Sequence, residues 1–573
     1  MSLSQRRERL LALAGYLCLS AAVFGHGALT HLQGAVVGFG PQSAYYGRDQ
    51  SAYVWFLDWG ARALTHLENP LSSGAIFAPH GYNLAWAASI QGPSLVMAPV
   101  TLLAGPVASF NLLAIAAPAT AAWTAYLLCR ALVAGGPWPA IAGGLLFGFS
   151  TYETVEMVNH LNLALVALVP LAALLAVRRV AGTIPRWAFI SGLAVVLVAQ
   201  LWTSTEVLAS MVMFGTLAFL LAALAAGPCR RRAVLRTAGE ALAAMALAAV
   251  LGGPFLYHAF RYPDPVQGIS GAGSGIDVAN LLTPTRVTWL AGIPGLSSRA
   301  AALQGNLTEQ TAYLGVPALV LLAAAAWSFR RRTAGAALAA FVVITLVASF
   351  GSHLIERGHR TALGLPWAVV GHLPLLRFAT PGRFVVYVWL AVAVATAWWL
   401  AAGWPSGRPL RWALFAVMAA SLAPNPLGVP WATRVDAPAL MRSPQLVRYV
   451  RAGATVLALP FGVSGDSMFW QVQASFHFRL AGGYVSVSLP AEYRPAIHLI
   501  HALEGNSFSG SLTPRLCGFL RMTGSSVILL RDGRAGSWLR LLGPLGITPL
   551  RAGGFRVYPL AAAFAHGGAC ARG

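Results

Sequence analysis

Apolar stretches of membrane-spanning length follow one another along the chain as far as residue 423, with short polar connections between them. A transmembrane helix needs about 20 mostly apolar residues. On that measure we predict eleven spans, near residues 10–30, 107–130, 138–155, 160–178, 187–204, 206–226, 237–257, 311–328, 334–353, 380–402 and 409–423. Arginines precede the first span, as in a signal peptide, but its apolar part is long for one and no small-residue cleavage site stands out. We therefore predict an uncleaved span.

Three connections are long, at residues 31–106, 258–310 and 354–379. The first contains an apolar stretch at 91–104, which is too short to span and predicts an interfacial or re-entrant helix. Residues 52–67 mix aromatic and polar side chains. This mixture predicts an amphipathic helix at the membrane surface, with its aromatic side chains anchored in lipid.

The chain becomes less hydrophobic from about residue 436. Short strand-like runs at 455–461, 527–530 and 555–560 lie between Gly and Pro turn signals. The predicted fold is an α-helical polytopic membrane domain at 1–435 and a small extracytoplasmic α/β domain at 436–573. The second domain is basic, so it either covers the site as a solvated domain or contacts anionic headgroups or an acidic acceptor.

Composition excludes a soluble enzyme and a disordered chain. Hydrophobic residues make up 57% and charged residues 10%, whereas a soluble domain is about 25% charged. The net charge of +22 fits either a nucleic-acid-binding protein or a membrane protein with basic cytoplasmic loops. The placement of the basic residues along the chain distinguishes the two. All the basic residues are arginines, and the short connections that are rich in arginine are every second one, which the positive-inside rule makes cytoplasmic.

This orientation predicts a cytoplasmic N-terminus, an extracytoplasmic C-terminal domain and no nucleic-acid partner. The arginine-only basic composition suggests a bacterial source, hence the inner membrane. Of the 17 acidic residues, only Glu8 and Glu240 then fall on the cytoplasmic side. Ionisable residues at the edge of the hydrocarbon are costly and indicate function. On the external side the candidates are Asp49, Tyr82, Glu153, Asn159, His160, Glu206, Glu309, Arg377 and Arg383.

Several candidates also have a purely structural interpretation. Asp49 precedes a predicted helix and is a favoured N-cap residue. Glu153 and Glu156 fit a solvated helix face, and Glu206 fits an ion pair with an arginine such as Arg383. Two further residues, Cys517 and Cys570, are either a disulfide or two free thiols in the external tail. No metal-binding or nucleotide-binding motif occurs in the chain.

Short motifs in and beyond the first long loop support a family resemblance. They are 47–50 (Gly-Arg-Asp-Gln), 69–71 (Asn-Pro-Leu), 79–84 (Pro-His-Gly-Tyr-Asn-Leu), 309–315 (Glu-Gln-Thr-Ala-Tyr-Leu-Gly) and 377–384 (Arg-Phe-Ala-Thr-Pro-Gly-Arg-Phe). The chain resembles the C-type glycosyltransferase (GT-C) superfamily, in its uncharacterised bacterial branch. The resemblance implies polyprenyl-phosphate-linked or diphosphate-linked sugar donors and a catalytic acid in the first external loop.

Two departures separate the chain from known branches of that superfamily. Asp49 is followed by Gln50, where protein mannosyltransferase-like members often have Asp-Glu. Trp398 and Trp399 are followed by Leu400 and lie in a predicted span, so they are not the Trp-Trp-Asp motif of oligosaccharyltransferase-like members.

The chemistry of sugar transfer assigns a role to each residue type. We predict that Asp49 is the general base that takes the proton of an acceptor hydroxyl, on a glycan, lipid or protein. Arg377 and Arg383 are the candidates to bind the leaving lipid phosphate, because guanidinium groups match phosphate oxygens. The remaining predicted substrate-binding residues are His160, Asn159, Glu153, Glu206, Glu309 and Tyr82.

A divalent cation and two other functions stay open. The scattered carboxylates are an alternative ligand set for Mg²⁺ or Mn²⁺, although their spacing gives no support. A transporter or flippase for a lipid-linked glycan needs polar residues at mid-membrane depth and two related halves. The polar residues instead concentrate at one face and no two-fold repeat is detected. A non-catalytic envelope assembly factor is the third hypothesis.

Overall fold

The computed structural model is a largely helical chain. It describes residues 3–38, 49–261, 266–267, 275–303, 305, 307–373, 376, 379–402, 408–425, 431–485, 488–508, 512–566 and 568–571. Seven helices in these ranges are long and apolar enough to cross a membrane: Leu3–Thr30, Pro106–Leu132, Leu161–Val180, Arg186–Thr203, Thr205–Ala225, Pro228–Leu251 and Pro381–Ala401. Three shorter apolar helices are Trp138–Gly148, Gly315–Phe329 and Thr333–Ser349. The protein is a multi-pass membrane protein, and the count of eleven spans stays a prediction.

One predicted span is divided by a helix break. The sequence predicts a span over 138–155, but the helix Trp138–Gly148 ends early and a second helix occupies Thr151–Met157. Ser150 caps the second helix by accepting a hydrogen bond from the Glu153 backbone N–H (3.2 Å). The break matters because it places Glu153 and Glu156 on a short, buried helix of their own.

The first long loop is built around the helix Asp49–His66, which lies inside the protein. The expectation that its aromatic residues anchor it in lipid is wrong, because Trp55, Phe56 and Trp59 are all buried. Trp55 donates its indole N–H to Gln471 Oε1 (2.7 Å), and its ring stacks on that of Trp59. The aromatic face therefore packs on the C-terminal region, not on lipid.

The apolar stretch at 91–104 forms two short helices, Gln91–Val96 and Ala98–Ala104. Both pack against the helix Asp49–His66. Gly60 makes the approach possible, since a Cβ at that position would collide with the side chain of Ser94. The loop thus forms a compact layer beside the helix Pro106–Leu132.

The C-terminal region contains a five-stranded sheet. Its spatial order is Leu550–Ala552, Phe555–Pro559, Ser525–Arg531, Thr455–Leu459 and Arg479–Leu480, with the last three strands parallel and the others antiparallel. The three strand-like runs of the sequence correspond to strands of this sheet. A disulfide between Cys517 and Cys570 ties the helix Thr513–Thr523 to the end of the chain.

Main-chain hydrogen bonds join the C-terminal region to the first loop. Ala78 N–H donates to Leu480 O (2.9 Å), Leu480 N–H to Ala75 O (2.8 Å) and Ala88 N–H to Val485 O (2.9 Å). The strands Ala35–Val37 and Ala432–Arg434 also pair antiparallel. Segment 480–485 is consequently fixed against the loop that carries Asp49.

Candidate functional site

Asp49 and Glu156 hold His160 between them. Asp49 is the first residue of its helix and is 8% exposed. His160 Nε2 lies 3.1 Å from Asp49 Oδ2, and His160 Nδ1 lies 2.6 Å from Glu156 Oε2. Asp49 Oδ1 is buried and has no hydrogen-bond partner in the part of the chain that the structure describes. One oxygen of this carboxylate is therefore fixed, and the other is available to a substrate.

The charges of this group follow from burial and proximity. Burial opposes a charged His160, but the neighbouring carboxylates of Glu156 and Asp49 outweigh it and raise the pKa of His160 to about 10. His160 is therefore an imidazolium at neutral pH, donating to both carboxylates. Burial raises the pKa of Glu153 well above its usual range, with the nearby Glu156 as a second cause.

Glu153 and Glu156 are not a solvated helix face. Glu153 is 1% exposed and Glu156 is 0% exposed. Neither carboxyl oxygen of Glu153 has a hydrogen-bond partner within the described ranges, and neither does Glu156 Oε1. Buried polar atoms without partners are rare. Their grouping on the short helix that reaches Asp49 through His160 indicates a site that receives a polar ligand.

Because Asp49 and Glu156 hold the proton on His160, we expect the stability of the folded chain to depend on pH. Below about pH 6.5, the ordinary imidazole pKa, His160 is protonated in both folded and unfolded chains and its stabilisation is fully present. Above that pH only the folded chain keeps the proton, so the stabilisation declines and is lost as pH rises through about 10. We expect the unfolding temperature in detergent micelles to fall more steeply between these values than it does for His160→Gln.

The exposed His66, on the helix that begins at Asp49, is the matched control for this measurement. His66→Gln should reproduce the wild-type pH slope. Equal slopes for the wild type and His160→Gln would show that His160 is not held as an imidazolium.

A second ionic group lies at Arg383, in the turn Pro381–Phe384. Arg383 Nη1 lies 2.6 Å from Glu206 Oε2, and Arg383 Nη2 lies 3.9 Å from Glu309 Oε1. The backbone N–H of Thr380 donates to Glu206 Oε1 (3.2 Å). The ion pair between Glu206 and Arg383 that the sequence left open as a structural alternative is therefore present.

The group around Asp49 and the group around Arg383 are neighbours. Glu156 interacts electrostatically with both Arg383 and Glu309. Gln50 Nε2 donates to Val158 O and to Asn159 Oδ1, the latter at 3.3 Å. The structure thus brings together Asp49, Glu153, Asn159, His160, Glu206, Glu309 and Arg383.

Two further predicted site residues need separate mention. Arg377 lies outside the described residues, so its role stays a prediction. Tyr82 packs its ring on Phe77, with 5.2 Å between ring centroids, and lines a separate pocket.

Sequence reasoning missed residues that support Asp49. Tyr53 lies within residues 52–67, whose aromatic side chains the sequence places in lipid, but its hydroxyl donates to Asn162 Oδ1 and docks the helix on the segment after His160. Tyr484, on segment 480–485, brings its phenol to the Asp49 carboxylate. No local pattern marks Tyr484, because only the folded main chain brings it to the first loop.

The described ranges offer no ligand cluster for the divalent cation that the sequence left open. They contain no group of three or more His, Cys, Asp or Glu side chains arranged to hold a metal ion. A protonated His160 also occupies the position between the Asp49 and Glu156 carboxylates. These residues do not fit a divalent cation.

Comparison with known proteins gives a family and a fold. The sequence model of the family described as "Domain of unknown function (DUF6311)" matches residues 62–423. No curated protein matches the chain. The arabinofuranosyltransferase AftD from Mycobacteria is similar in structure, with a TM-score of 0.60 at 17% identity, over 97% of this chain and 40% of AftD. This chain therefore spans less than half the length of AftD.

An archaeal enzyme has the same architecture. The apo oligosaccharyltransferase of Archaeoglobus fulgidus has a TM-score of 0.51 at 10% identity, over 94% of this chain and 72% of that one. At such identities the likeness shows the fold alone. The GT-C resemblance inferred from the motifs is confirmed at that level.

Proposed function

The chain belongs to the DUF6311 family and has the GT-C fold, and from this premise we propose that it is a membrane glycosyltransferase. It moves a sugar from a polyprenyl-phosphate-linked donor to an acceptor hydroxyl on the extracytoplasmic face. The observation that carries the proposal is the Asp49 carboxylate, with Oδ2 held by His160 and Oδ1 buried without a partner among the described residues.

The proposed reaction is a direct, inverting displacement. The acceptor oxygen attacks the anomeric carbon while the bond from that carbon to the phosphate oxygen breaks. Asp49 Oδ1 takes the acceptor proton, and the polyprenyl phosphate leaves with the bonding electron pair. A base must lie within hydrogen-bond reach of the proton it removes, and Oδ1 of Asp49, which has no partner among the described residues, is the oxygen that receives this proton.

Other residues take supporting roles in this proposal. Arg377 and Arg383 stabilise the charge that develops on the leaving phosphate. Arg383 also keeps Glu206 and Glu309 in place, and its Nε has no hydrogen-bond partner in the described part of the chain. Glu153 and Asn159 hydrogen-bond sugar hydroxyls, while His160 fixes the orientation of Asp49.

Contacts at the opposite end of the helices support the proposed orientation. Arg130 Nε lies 3.0 Å from Glu8 Oε1, and Arg179 Nε lies 2.6 Å from Glu240 Oε2. The two acidic residues assigned to the cytoplasm are thus paired with arginines assigned to the same side. The disulfide suits an extracytoplasmic C-terminal region, since such compartments are oxidising. We place the protein in the inner membrane of a bacterium.

The direct test is sugar transfer by the purified chain. Labelled polyprenyl-phosphate sugars are incubated with the protein and with membrane extract as the acceptor source, and labelled product is counted. A pentofuranose donor is the first to try, because the fold relative AftD is named an arabinofuranosyltransferase. Transfer of any donor sugar supports the proposal. Movement of the donor across vesicle membranes without transfer would favour a flippase.

Tyr484 gives a prediction about the C-terminal region. Its phenol contacts the carboxylate of the proposed base, and a hydrogen bond to a charged group contributes about 1.5–3 kcal/mol. We expect Tyr484→Phe to lower kcat about tenfold or more, with KM unchanged, because the substituted side chain no longer orients Asp49. Steady-state kinetics of sugar transfer measure both constants.

The half-buried Tyr449, also in the C-terminal region, is the matched control. Tyr449→Phe should leave both constants unchanged. If Tyr484→Phe lowered the unfolding temperature but left the kcat of folded protein intact, Tyr484 would have only a packing role.

A further inference from the structure

A pocket of about 320 Å³ lies where three distant parts of the chain meet. One wall is the hairpin that pairs Ser72–Ser73 with Tyr82–Asn83. A second is the end of the helix Gly253–Arg261, at His258, and a third is the turn Ala491–Ala496, at Glu492. Ligand pockets have volumes of about 300–1,000 Å³, so the space accommodates a sugar ring.

Hydrogen bonds between the walls fix the shape of this pocket. Asn83 Nδ2 donates to His258 O (3.2 Å), and the indole N–H of Trp86 donates to Ala259 O (3.0 Å). The Tyr493 hydroxyl hydrogen-bonds Ala78 O (3.0 Å) and Ala481 O (2.9 Å), which ties the third wall to the first. A ligand here meets walls that are already positioned, which lowers the entropic cost of binding.

The lining selects a neutral, hydroxyl-rich ligand. His80, Asn83 and Glu492 supply hydrogen-bond donors and acceptors, and Tyr82 and Trp86 supply aromatic surface. None of the described residues that line the pocket is an arginine, and the Glu492 carboxylate repels anions. A lipid phosphate therefore lacks a counter-charge here, whereas a sugar ring finds both polar and aromatic partners.

The pocket is a neighbour of the Asp49 site. Phe77 packs on Tyr82 on one side. On its other side it lies against Gly483, where an added Cβ would be 3.0 Å from the Phe77 ring. The next residue, Tyr484, contacts Asp49. The pocket and the Asp49 site are thus connected by a chain of contacts through Phe77 and segment 480–485.

We propose that this pocket binds a neutral sugar unit of the acceptor glycan, beyond the unit whose hydroxyl faces Asp49. The assignment rests on the proposed glycosyltransferase function and adds the acceptor class, a glycan of at least two units. Holding the acceptor at a second point orients its reacting hydroxyl.

Saturation-transfer NMR on the purified full chain in detergent micelles tests the proposal. The probes are methyl glycosides and short neutral oligosaccharides of pentoses and hexoses, with inorganic phosphate as competitor. We expect a neutral sugar to bind and phosphate not to displace it. Glu492→Gln and His80→Ala, both at exposed positions, should weaken binding about tenfold. The exposed Glu356, on a different hairpin, provides the control Glu356→Gln, which should bind as the wild type does.

Measuring sugar binding and sugar transfer on the same variants distinguishes the pocket assignment from the glycosyltransferase proposal. Asp49→Asn should keep the sugar signal while losing transfer, and Glu492→Gln should raise the acceptor KM while keeping kcat. The pocket assignment is overturned if no neutral sugar binds a protein that transfers sugar to membrane acceptors. It is also overturned if phosphate displaces the sugar, or if Glu492→Gln and His80→Ala bind it unchanged. Absence of transfer by the wild type counts against the glycosyltransferase proposal itself.

Discussion

Asp49→Asn is expected to abolish sugar transfer while the protein still folds and inserts into the membrane. An amide cannot accept the acceptor proton, and loss of a general base lowers a rate by about 10²–10⁴-fold. The amide keeps an oxygen at the position of Oδ2, so it still accepts a hydrogen bond from His160. The measurement is initial rate of transfer per folded protein, with folding checked by size-exclusion chromatography and the unfolding temperature.

The same helix offers a matched control at Asp58. Burial raises the pKa of Asp58 to about 6, with Arg62 acting in the opposite direction. Asp58→Asn makes the same carboxyl-to-amide change in a partly buried side chain that lies outside the site. This variant should transfer sugar at the wild-type rate. Full transfer by Asp49→Asn would show that the base is another residue, with Glu153 the next to substitute.

The membrane part of this fold is largely readable from the sequence, because apolar length is a strong and local signal. Each predicted span overlaps a helix. The errors lie where a short-range interaction overrides the apolar run, as at Ser150, whose side chain caps a new helix inside a predicted span. Aromatic side chains in the first loop were also misplaced. The local sequence around Trp55 and Trp59 does not distinguish burial in lipid from burial against the C-terminal region, and the structure shows the second.

The candidate site was partly predictable for a different reason. Acidic residues are scarce in this chain, so Asp49, Glu153, Glu206 and Glu309 stand out once the orientation is fixed. Their partners do not stand out. His160 between two carboxylates is a consequence of the helix break after Gly148. Tyr484 reaches Asp49 only because segment 480–485 pairs with the first loop, and such long-range pairing leaves no trace in local sequence.

Removing one member of the Glu206–Arg383 pair is expected to destabilise the protein strongly. The side chains are 21% exposed each and lie 2.6 Å apart. Truncating one partner of a largely buried pair leaves an uncompensated charge, which costs about 3 kcal/mol or more. Arg383→Gln leaves both Glu206 and Glu309 without this cation, so its unfolding temperature should fall further than that of Glu206→Gln.

Arg130 serves as the control, since its pair with Glu8 has similar exposure, 28% and 27%, at the opposite end of the helices. Arg130→Gln should destabilise the chain without changing the kcat of folded protein. Arg383→Gln should lose both stability and transfer, because we propose that Arg383 also stabilises the leaving phosphate. The unfolding temperature and the kcat of each variant distinguish these effects.

The double variant Glu206→Leu with Arg383→Met separates the structural role of Arg383 from its proposed role in transfer. Replacing both charges with apolar side chains of similar size removes the unpaired charge, and such replacements are often neutral or stabilising. Unfolding temperature should therefore recover relative to Arg383→Gln. Transfer should stay lost, since no guanidinium remains at this position to face the phosphate. If transfer recovered together with stability, Arg383 would hold the helices in place and the phosphate would depend on another cation, for which Arg377 is the nearest candidate in sequence.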